Sequence, residues 1–380
     1  MKLKVGLITL QIRESLSAFE IYLKLMKVLE SFSTEIAWIA TNYLGDDSRL
    51  PENVTLKKLK SIDIDKGLFI KRIPRYLWRE MKIVLQMIKI RDVDVFIFYC
   101  GYLPLFPVLF AAFFLRRKTV LRIDGRSSVI VRSGTRPDTR DNRLIRIMIH
   151  SFIEKIDYSL ADKIAVEYES MVERYNLQEY LHKIALGNQY IDTNLFKPTR
   201  NLKDRGYLLG YFGRLSQEKG VLELARALSV VLKDGKSRAI IVGDGELYEE
   251  VESILIETGI KGQVEIVSWV ALDEMPAYLN DTRLAVVPSY MEGVPNIVLE
   301  AMACGTPVLA TAVGGIPDVI IDGETGFIME DKSPECIARN VSRVLSHQAI
   351  EEITSKARAV IDDKYTYEVV VENYRKILTD

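Results

Sequence analysis

Histidine and cysteine are almost missing from this chain, three of each in 380 residues. His150, His182 and His347 lie far apart, and Cys100, Cys304 and Cys336 are scattered and odd in number. No spacing matches a zinc site and no disulfide framework is legible, which fits a reducing compartment. A signal peptide is also lacking: Met1-Lys2-Leu3-Lys4 leads straight into a strand-like run. The expected location is therefore cytoplasmic, the inner face of a membrane included. Long apolar runs reduce to one. Residues 95–115 hold 21 positions without a charge, long enough on paper to span a bilayer. Gly101, Pro104 and Pro107 interrupt the run. They break a continuous helix but suit a strand over 95–99, a turn, and a buried helix from about 104.

The net charge of −1 hides an asymmetry. Residues 1–200 carry 33 Lys and Arg against 23 Asp and Glu, while residues 201–380 carry 18 against 29. The basic half suggests an anionic partner such as a phospholipid surface or a phosphorylated acceptor, or else mutual neutralisation of two domains across a cleft. Nucleic acid is not among the expected partners. At this length two domains are expected.

Residues 5–10, 35–40, 95–99, 119–123 and 163–166 read as strands, with helices over 17–31, 75–90 and 141–160 between them. Residues 41–74 read as irregular, with short strand-like pieces. The 75–90 helix sets Arg75, Arg79, Lys82 and Lys89 around apolar Leu77, Met81, Val84 and Ile88. That pattern fits a core-facing helix with a solvated basic face, or a helix lying on a membrane. Residues 126–146 add six arginines. The polar, proline-containing stretch 192–204 reads as a linker. Beyond it strands near 207–212, 238–242, 264–267, 284–287 and 307–310 alternate with helices near 219–233, 246–258, 272–280 and 296–303. Such alternation implies an α/β fold: two Rossmann-like, doubly wound parallel-sheet domains facing across a cleft. The expected domains are 1–200 and 201–364, the first completed by a terminal helix over 365–380.

The second half concentrates the chemistry. Pro288 to Thr311 follows an apolar run, Leu284 to Val287, and begins with a turn holding Glu292 and Gly293; Val294 comes next. Pro295 and Asn296 then open a helix that carries Glu300. Both carboxylates can face the crevice beyond the carboxyl end of the strand, where open α/β sheets bind ligands. The helix N-terminus between them suits a phosphate. Two hydroxyl-binding carboxylates flanking an anion site describe a nucleotide-sugar. Gly213 to Gly220 joins another strand to its helix and offers Arg214 and Lys219, two cations that can take charge from a diphosphate leaving group. Gly243-Asp244-Gly245 is a tight strand-to-helix turn bordering the same crevice; Tyr248 stands where a dinucleotide fingerprint would need its third glycine.

These segments, GRLSQEKG, IVGDGE, PSYMEGVPNIVLEAMACGTPVLAT and VGGIPDVIIDGETGF, resemble in order and spacing the donor domain of retaining glycosyltransferase family 4. The resemblance covers nearly all of residues 205–330. It implies a GT-B fold with the nucleotide-sugar held mainly by the second domain. It assigns diphosphate contacts to Arg214 and Lys219. It assigns the donor sugar to Glu292 and the ribose to Glu300, the two glutamates of an E-x7-E motif. Gly213, Gly243, Gly293, Val294, Pro295 and Asn296 fall in the donor-binding segments, and backbone groups near Trp269 and Val270 are candidates for the base. In the first half the resemblance is weaker. Thr9-Leu10-Gln11-Ile12-Arg13 lacks the usual glycine pair, and Asp124 stands where many members have a histidine. An aspartate there can hydrogen-bond a sugar hydroxyl.

The expected reaction is transfer of a sugar from a nucleotide diphosphate-sugar to an acceptor hydroxyl, with retention at the anomeric carbon. The acceptor would be a glycan or a lipid-linked molecule at the membrane surface. No cofactor is expected, since the nucleotide-sugar is a substrate. Asp63–Asp65 and Asp92–Asp94 have the Asp-x-Asp spelling of metal-dependent sugar transferases, but Asp92 and Asp94 precede their strand, at the wrong end for a site. A nucleotide-sugar epimerase and a non-catalytic membrane- or sugar-binding protein are the competing readings.

Overall fold

The computed structural model describes residues 2–9, 16–41, 43, 45–59, 69–99, 106–123 and 143–380. It separates into two compact units, Met1–Gln189 with Glu368–Asp380, and Tyr190–Tyr367.

The first unit alternates strand and helix: β1 Leu3–Thr9, α1 Leu16–Glu30, β2 Ser33–Thr41, β3 Val54–Leu59, α2 Phe69–Lys89, β4 Val95–Tyr99, α3 Phe106–Phe114, β5 Lys118–Ile123, α4 Arg143–Leu160, β6 Lys163–Val166, α5 Met171–Arg174 and β7 Ile184–Leu186. Its seven strands run parallel in the order β3-β2-β1-β4-β5-β6-β7. Every residue of β4 is buried, as expected for a parallel strand covered by helices on both faces. The edge strand β3 instead alternates half-buried and exposed positions and carries Lys57 and Lys58. Lysines on an edge discourage pairing with another chain.

The uncharged run 95–115 resolves into β4 and α3. Among the described residues no helix is long and apolar enough to cross a membrane. β3 supplies one of the short strand-like pieces expected within 41–74. One detail departs from the sequence reading: α2 begins at Phe69, not 75, and runs through Pro74. Pro74 is the sixth residue of that helix, past the four N–H groups that lack intrahelical partners, so it removes one backbone bond close to the helix start.

The second unit continues with β8 Leu209–Phe212, α6 Val221–Val231, β9 Ala239–Val242, α7 Tyr248–Glu257, β10 Val264–Val267, α8 Met275–Asn280, β11 Ala285–Val287, α9 Asn296–Ala303, β12 Val308–Thr311, α10 Ile316–Val319, β13 Phe327–Met329, α11 Pro334–Leu345 and α12 Ile350–Lys364. Six parallel strands lie in the order β10-β9-β8-β11-β12-β13. In α6 the buried Val221, Leu224, Ala225 and Leu228 recur at helical spacing, so one apolar face packs on the sheet. It meets α11, whose Ile337, Val341 and Val344 belong to the same core.

The stretch expected as a linker belongs to this unit rather than between units. Phe196 is buried, and its carbonyl accepts a hydrogen bond from Arg358 Nη1 (3.1 Å). Asn280 clamps the chain on both sides: Nδ2 donates to the Lys197 carbonyl (3.0 Å) and Oδ1 accepts from the Thr199 N–H (2.7 Å). The boundary therefore falls at Gln189 and Tyr190, not at residues 200 and 201. The last helix, α13 Tyr367–Thr379, returns to the first unit from Glu368. Its buried Tyr374 donates from the phenol to the Gly187 carbonyl (3.0 Å).

Candidate active site

In the second sheet β8 lies between β9 and β11, so the chain leaves β8 toward one edge and leaves β11 toward the other. The loops after two such neighbouring strands diverge and open a crevice at their carboxyl ends, the position where doubly wound sheets bind ligands. Here those loops are Gly213–Gly220, after β8, and Pro288–Pro295, after β11.

Both loops are built to approach closely. Gly220 has a φ of 68°, and a Cβ on it would lie 2.1 Å from the Pro288 carbonyl oxygen. Only glycine meets both conditions. The Tyr290 N–H donates to the Glu218 carbonyl (2.8 Å), which fixes one loop against the other. Across this seam Lys219 Nζ donates to both oxygens of Glu292, at 2.7 and 2.8 Å. Ser289 Oγ donates to Glu292 Oε1 as well (2.7 Å). The Glu292 side chain is 9% exposed and that of Lys219 27%. The pair is thus partly desolvated, and its attraction is less screened than at an open surface.

Other groups hold this pair in place. Gly314, in the loop after β12, has a φ of 61°, and a Cβ there would lie 1.9 Å from the Glu292 carbonyl oxygen. The neighbouring Gly315 N–H donates to the Gly293 carbonyl (2.8 Å). Thr311 Oγ1 donates to the Ser289 carbonyl (2.6 Å). Below the other loop, the Tyr211 phenol donates to the Arg214 carbonyl (2.6 Å). Burial, with the nearby Glu292 carboxylate, holds that phenol above its ordinary pKa, so it remains a neutral donor.

The crevice brings together Lys219, Glu292, Gly293 and Ser289. Gly213 and Gly243 also meet: a Cβ on Gly243 would lie 1.9 Å from the Gly213 carbonyl oxygen. Arg214 pairs with Glu218: its side chain is 52% exposed and lies 3.5 Å from Glu218 Oε1. Val294 and Pro295 are buried and Asn296 is half-buried at the start of α9. Pro295 is the cap of that helix rather than its first residue, and no side chain caps it, which leaves the helix N-terminus suited to an anion. Glu300 lies one turn further in and is buried. Val270 is buried beside a Trp269 that is 69% exposed. Asp92 and Asp94 lie before β4, held by Lys4 through its ammonium and its backbone N–H (both 2.8 Å). Asp124, the Thr9–Arg13 loop beyond Thr9, Asp63 and Asp65 lie outside the described residues. Sequence reasoning missed Ser289, Tyr211 and Gly314. Ser289 directly follows the Pro288 that ends the strand, a position that could have marked it.

Comparison with known proteins points to the same unit. Residues 206–347 match the family model "Glycosyl transferases group 1", a span that lies within the second unit and contains every element of the crevice. An uncharacterised glycosyltransferase of Methanocaldococcus jannaschii is 29% identical over 178 residues, which is 47% of this chain and 46% of that protein. The lipopolysaccharide 1,2-N-acetylglucosaminetransferase of Salmonella typhimurium is 30% identical over 187 residues, 46% of this chain and 49% of the relative. The alignment thus spans about half the length of the curated relatives. Over the whole chain, Anabaena HepE, solved in complex with UDP, superposes with a TM-score of 0.73 at 16% identity, covering 99% of this chain and 100% of that one. The architecture is that of the GT-B glycosyltransferases, an α/β fold of two Rossmann-like parallel-sheet domains, and the second of them is similar to group 1 glycosyltransferases.

Proposed function

We propose that the protein is a glycosyltransferase that moves a sugar from a nucleotide diphosphate-sugar to an acceptor hydroxyl with retention of anomeric configuration. The observation that carries this reading is the Lys219–Glu292 pair at the topological switch of the second sheet. A donor laid in that crevice would set its diphosphate against the uncapped start of α9 and the Lys219 ammonium. Two of the three ammonium donors engage Glu292, and the third can reach an anion. Arg214, with its side chain 52% exposed, would supply the second cation. Together they stabilise the charge that grows on the leaving diphosphate, which is why the reaction is read as metal-independent. Glu292 would accept hydrogen bonds from the transferred sugar, and Glu300 from the ribose. The acceptor hydroxyl would then attack beside the leaving group, with Asp124 as a candidate sugar contact. The protein's part is positioning and charge stabilisation.

Uridine nucleotides head the donors to try, and a glycan or lipid-linked acceptor fits the kinds of protein this chain resembles. The test is a transfer assay followed by NMR assignment of the new linkage. The same anomeric configuration in donor and product supports the reading; inversion removes the retaining assignment. Activity should persist in EDTA. Loss in EDTA with rescue by manganese or magnesium would overturn metal independence.

A further inference from the structure

Eighteen large apolar side chains are exposed in the described residues, and ten of them lie on just three helices of the first unit, α2, α3 and α4. On α2, Leu77, Trp78, Met81, Leu85 and Ile88 form one stripe, while Ile83 and Met87 face the core. The middle helix, α3, packs against both of the others and adds Phe110, Phe113 and Phe114, the first and last with ring centroids 4.7 Å apart. Met148 and Phe152 extend the face onto α4. Scattered exposed apolar residues need no explanation; a contiguous face does.

The charges on these helices are segregated by burial. Their carboxylates, Glu80, Glu154 and Asp157, are all buried. The exposed charges among their described side chains are Arg75, Lys89 and Lys155, all cations. At one end of the apolar face, Phe113 and Phe114 also line an open cavity of about 960 Å³ together with Arg116, Arg117, Lys118 and Lys163. Of the two carboxylates there, Asp162 is occupied by the Thr119 N–H and hydroxyl, each at 2.8 Å, and Asp380 is the other. The Arg117 Nε–H is buried with no hydrogen-bond partner. Burial first, then the neighbouring Lys163, push the Lys118 ammonium below its ordinary pKa, with Asp162 and Asp380 pulling the other way. Lys118 and Lys163 begin β5 and β6. The cavity therefore lies at the amino ends of the strands, the opposite edge from the carboxyl-end crevices where such sheets bind their substrates.

We infer that the α2–α3–α4 face is a docking surface for a bilayer containing anionic phospholipid, with a lipid phosphate seated among Arg116, Arg117, Lys118 and Lys163. A second copy of this chain fits the apolar stripe but would set cation against cation. An anionic bilayer supplies apolar depth for the aromatic and aliphatic side chains and negative charge for the rim. The inference does not rest on sugar transfer and is tested without donor or acceptor.

The experiment is co-sedimentation of the full chain with vesicles of phosphatidylcholine alone or mixed with phosphatidylglycerol, paired with tryptophan fluorescence. Binding is expected only to the mixed vesicles and should weaken with salt. Tryptophan emission should be quenched by lipids brominated in the acyl chain, and Trp78→Phe should remove that quenching. Arg116→Ala combined with Lys163→Ala should lower partitioning about 25-fold at low salt, roughly fivefold per cation. Phe113→Ser combined with Phe114→Ser should lower it on the same vesicles without lowering the melting temperature, since both side chains are exposed. Equal binding to neutral and mixed vesicles, or binding without acyl-chain quenching, would overturn the inference. So would self-association in sedimentation velocity that the paired phenylalanine substitutions abolish while vesicles bind nothing.

Discussion

Glu292 stands at the centre of the residue-scale account, because two loops 73 positions apart meet on its carboxylate. In the proposed donor complex its partner is the sugar, not the nucleotide. Glu292→Ala should therefore leave affinity for the free nucleoside diphosphate unchanged or slightly higher, since it releases Lys219 from its counter-ion, while turnover falls. Glu300→Ala should weaken that affinity about 10- to 100-fold, the loss expected when charge-assisted bonds of roughly 1.5–3 kcal/mol are removed. Calorimetry with the nucleoside diphosphate on both variants checks this; equal losses would refute the division of roles. Lys219, Glu292 and Glu300 were legible as candidates from residue type, spacing and the family resemblance. Their pairing was not, because the Lys219–Glu292 contact exists only when β8 and β11 are neighbours, a property of strand order. Arg205 was not legible either. It is buried, and its guanidinium donates to the Leu279, Thr282 and Cys304 carbonyls and to Thr306 Oγ1. Burial lowers its pKa only to about 10, so it stays charged and ties the incoming chain to α8 and the end of α9.

At the scale of elements, the loop after β12 supports the Glu292 loop through Gly314. A Gly314→Ala change meets both a left-handed φ and the Glu292 backbone. It should cost about 1–3 kcal/mol of stability and reduce turnover more than a surface glycine would, for example Gly235→Ala, where a Cβ meets nothing within 4 Å. Melting temperature and kcat measured together check the pair. A second element depends on pH. Ahead of α11, Glu330 Oε2 accepts from the Cys336 thiol at 3.0 Å, Asn340 Nδ2 at 2.7 Å and Arg339 at 3.2 Å. These bonds, the thiol's first, lower its pKa to about 2. A carboxylate depressed in the folded state contributes stability above its unfolded pKa and loses it as pH falls through the folded one. The contribution should therefore vanish between about pH 4.5 and about pH 2. Acid unfolding of Glu330→Gln should show a shallower pH dependence in that window; identical curves would show that the bonds carry no net stability. The strand–helix alternation behind these elements was legible because buried parallel strands read as short apolar runs. The short β13 and the helix α12 were not assigned, having few strand-like apolar residues or a mostly polar pattern; α11 was not assigned either, although Ile337, Val341 and Val344 recur at helical spacing.

At the scale of the whole molecule, two Rossmann-like units were legible from length and alternation, and the return of the last helix from its resemblance to a known family. The boundary was misplaced because a polar, proline-containing stretch reads as a linker even when side chains such as Asn280 and Arg358 pin its backbone to one unit. The basic first half was legible as charge. The apolar stripe of α2 was legible as one of two readings of that helix; its extension over α3 and α4 was not, since burial decides which of their side chains reach the surface. The account as a whole stands on the crevice of the second unit holding the diphosphate of a nucleotide-sugar. The most direct measurement is calorimetric titration of a panel of nucleoside diphosphates into the wild-type chain and Lys219→Ala, with folding of the variant verified by its melting curve. The account predicts that at least one nucleoside diphosphate binds the wild type and that Lys219→Ala weakens it by about tenfold or more, the value of a charge-assisted contact to phosphate. A panel in which none binds, or a folded Lys219→Ala that binds as tightly as the wild type, would contradict it.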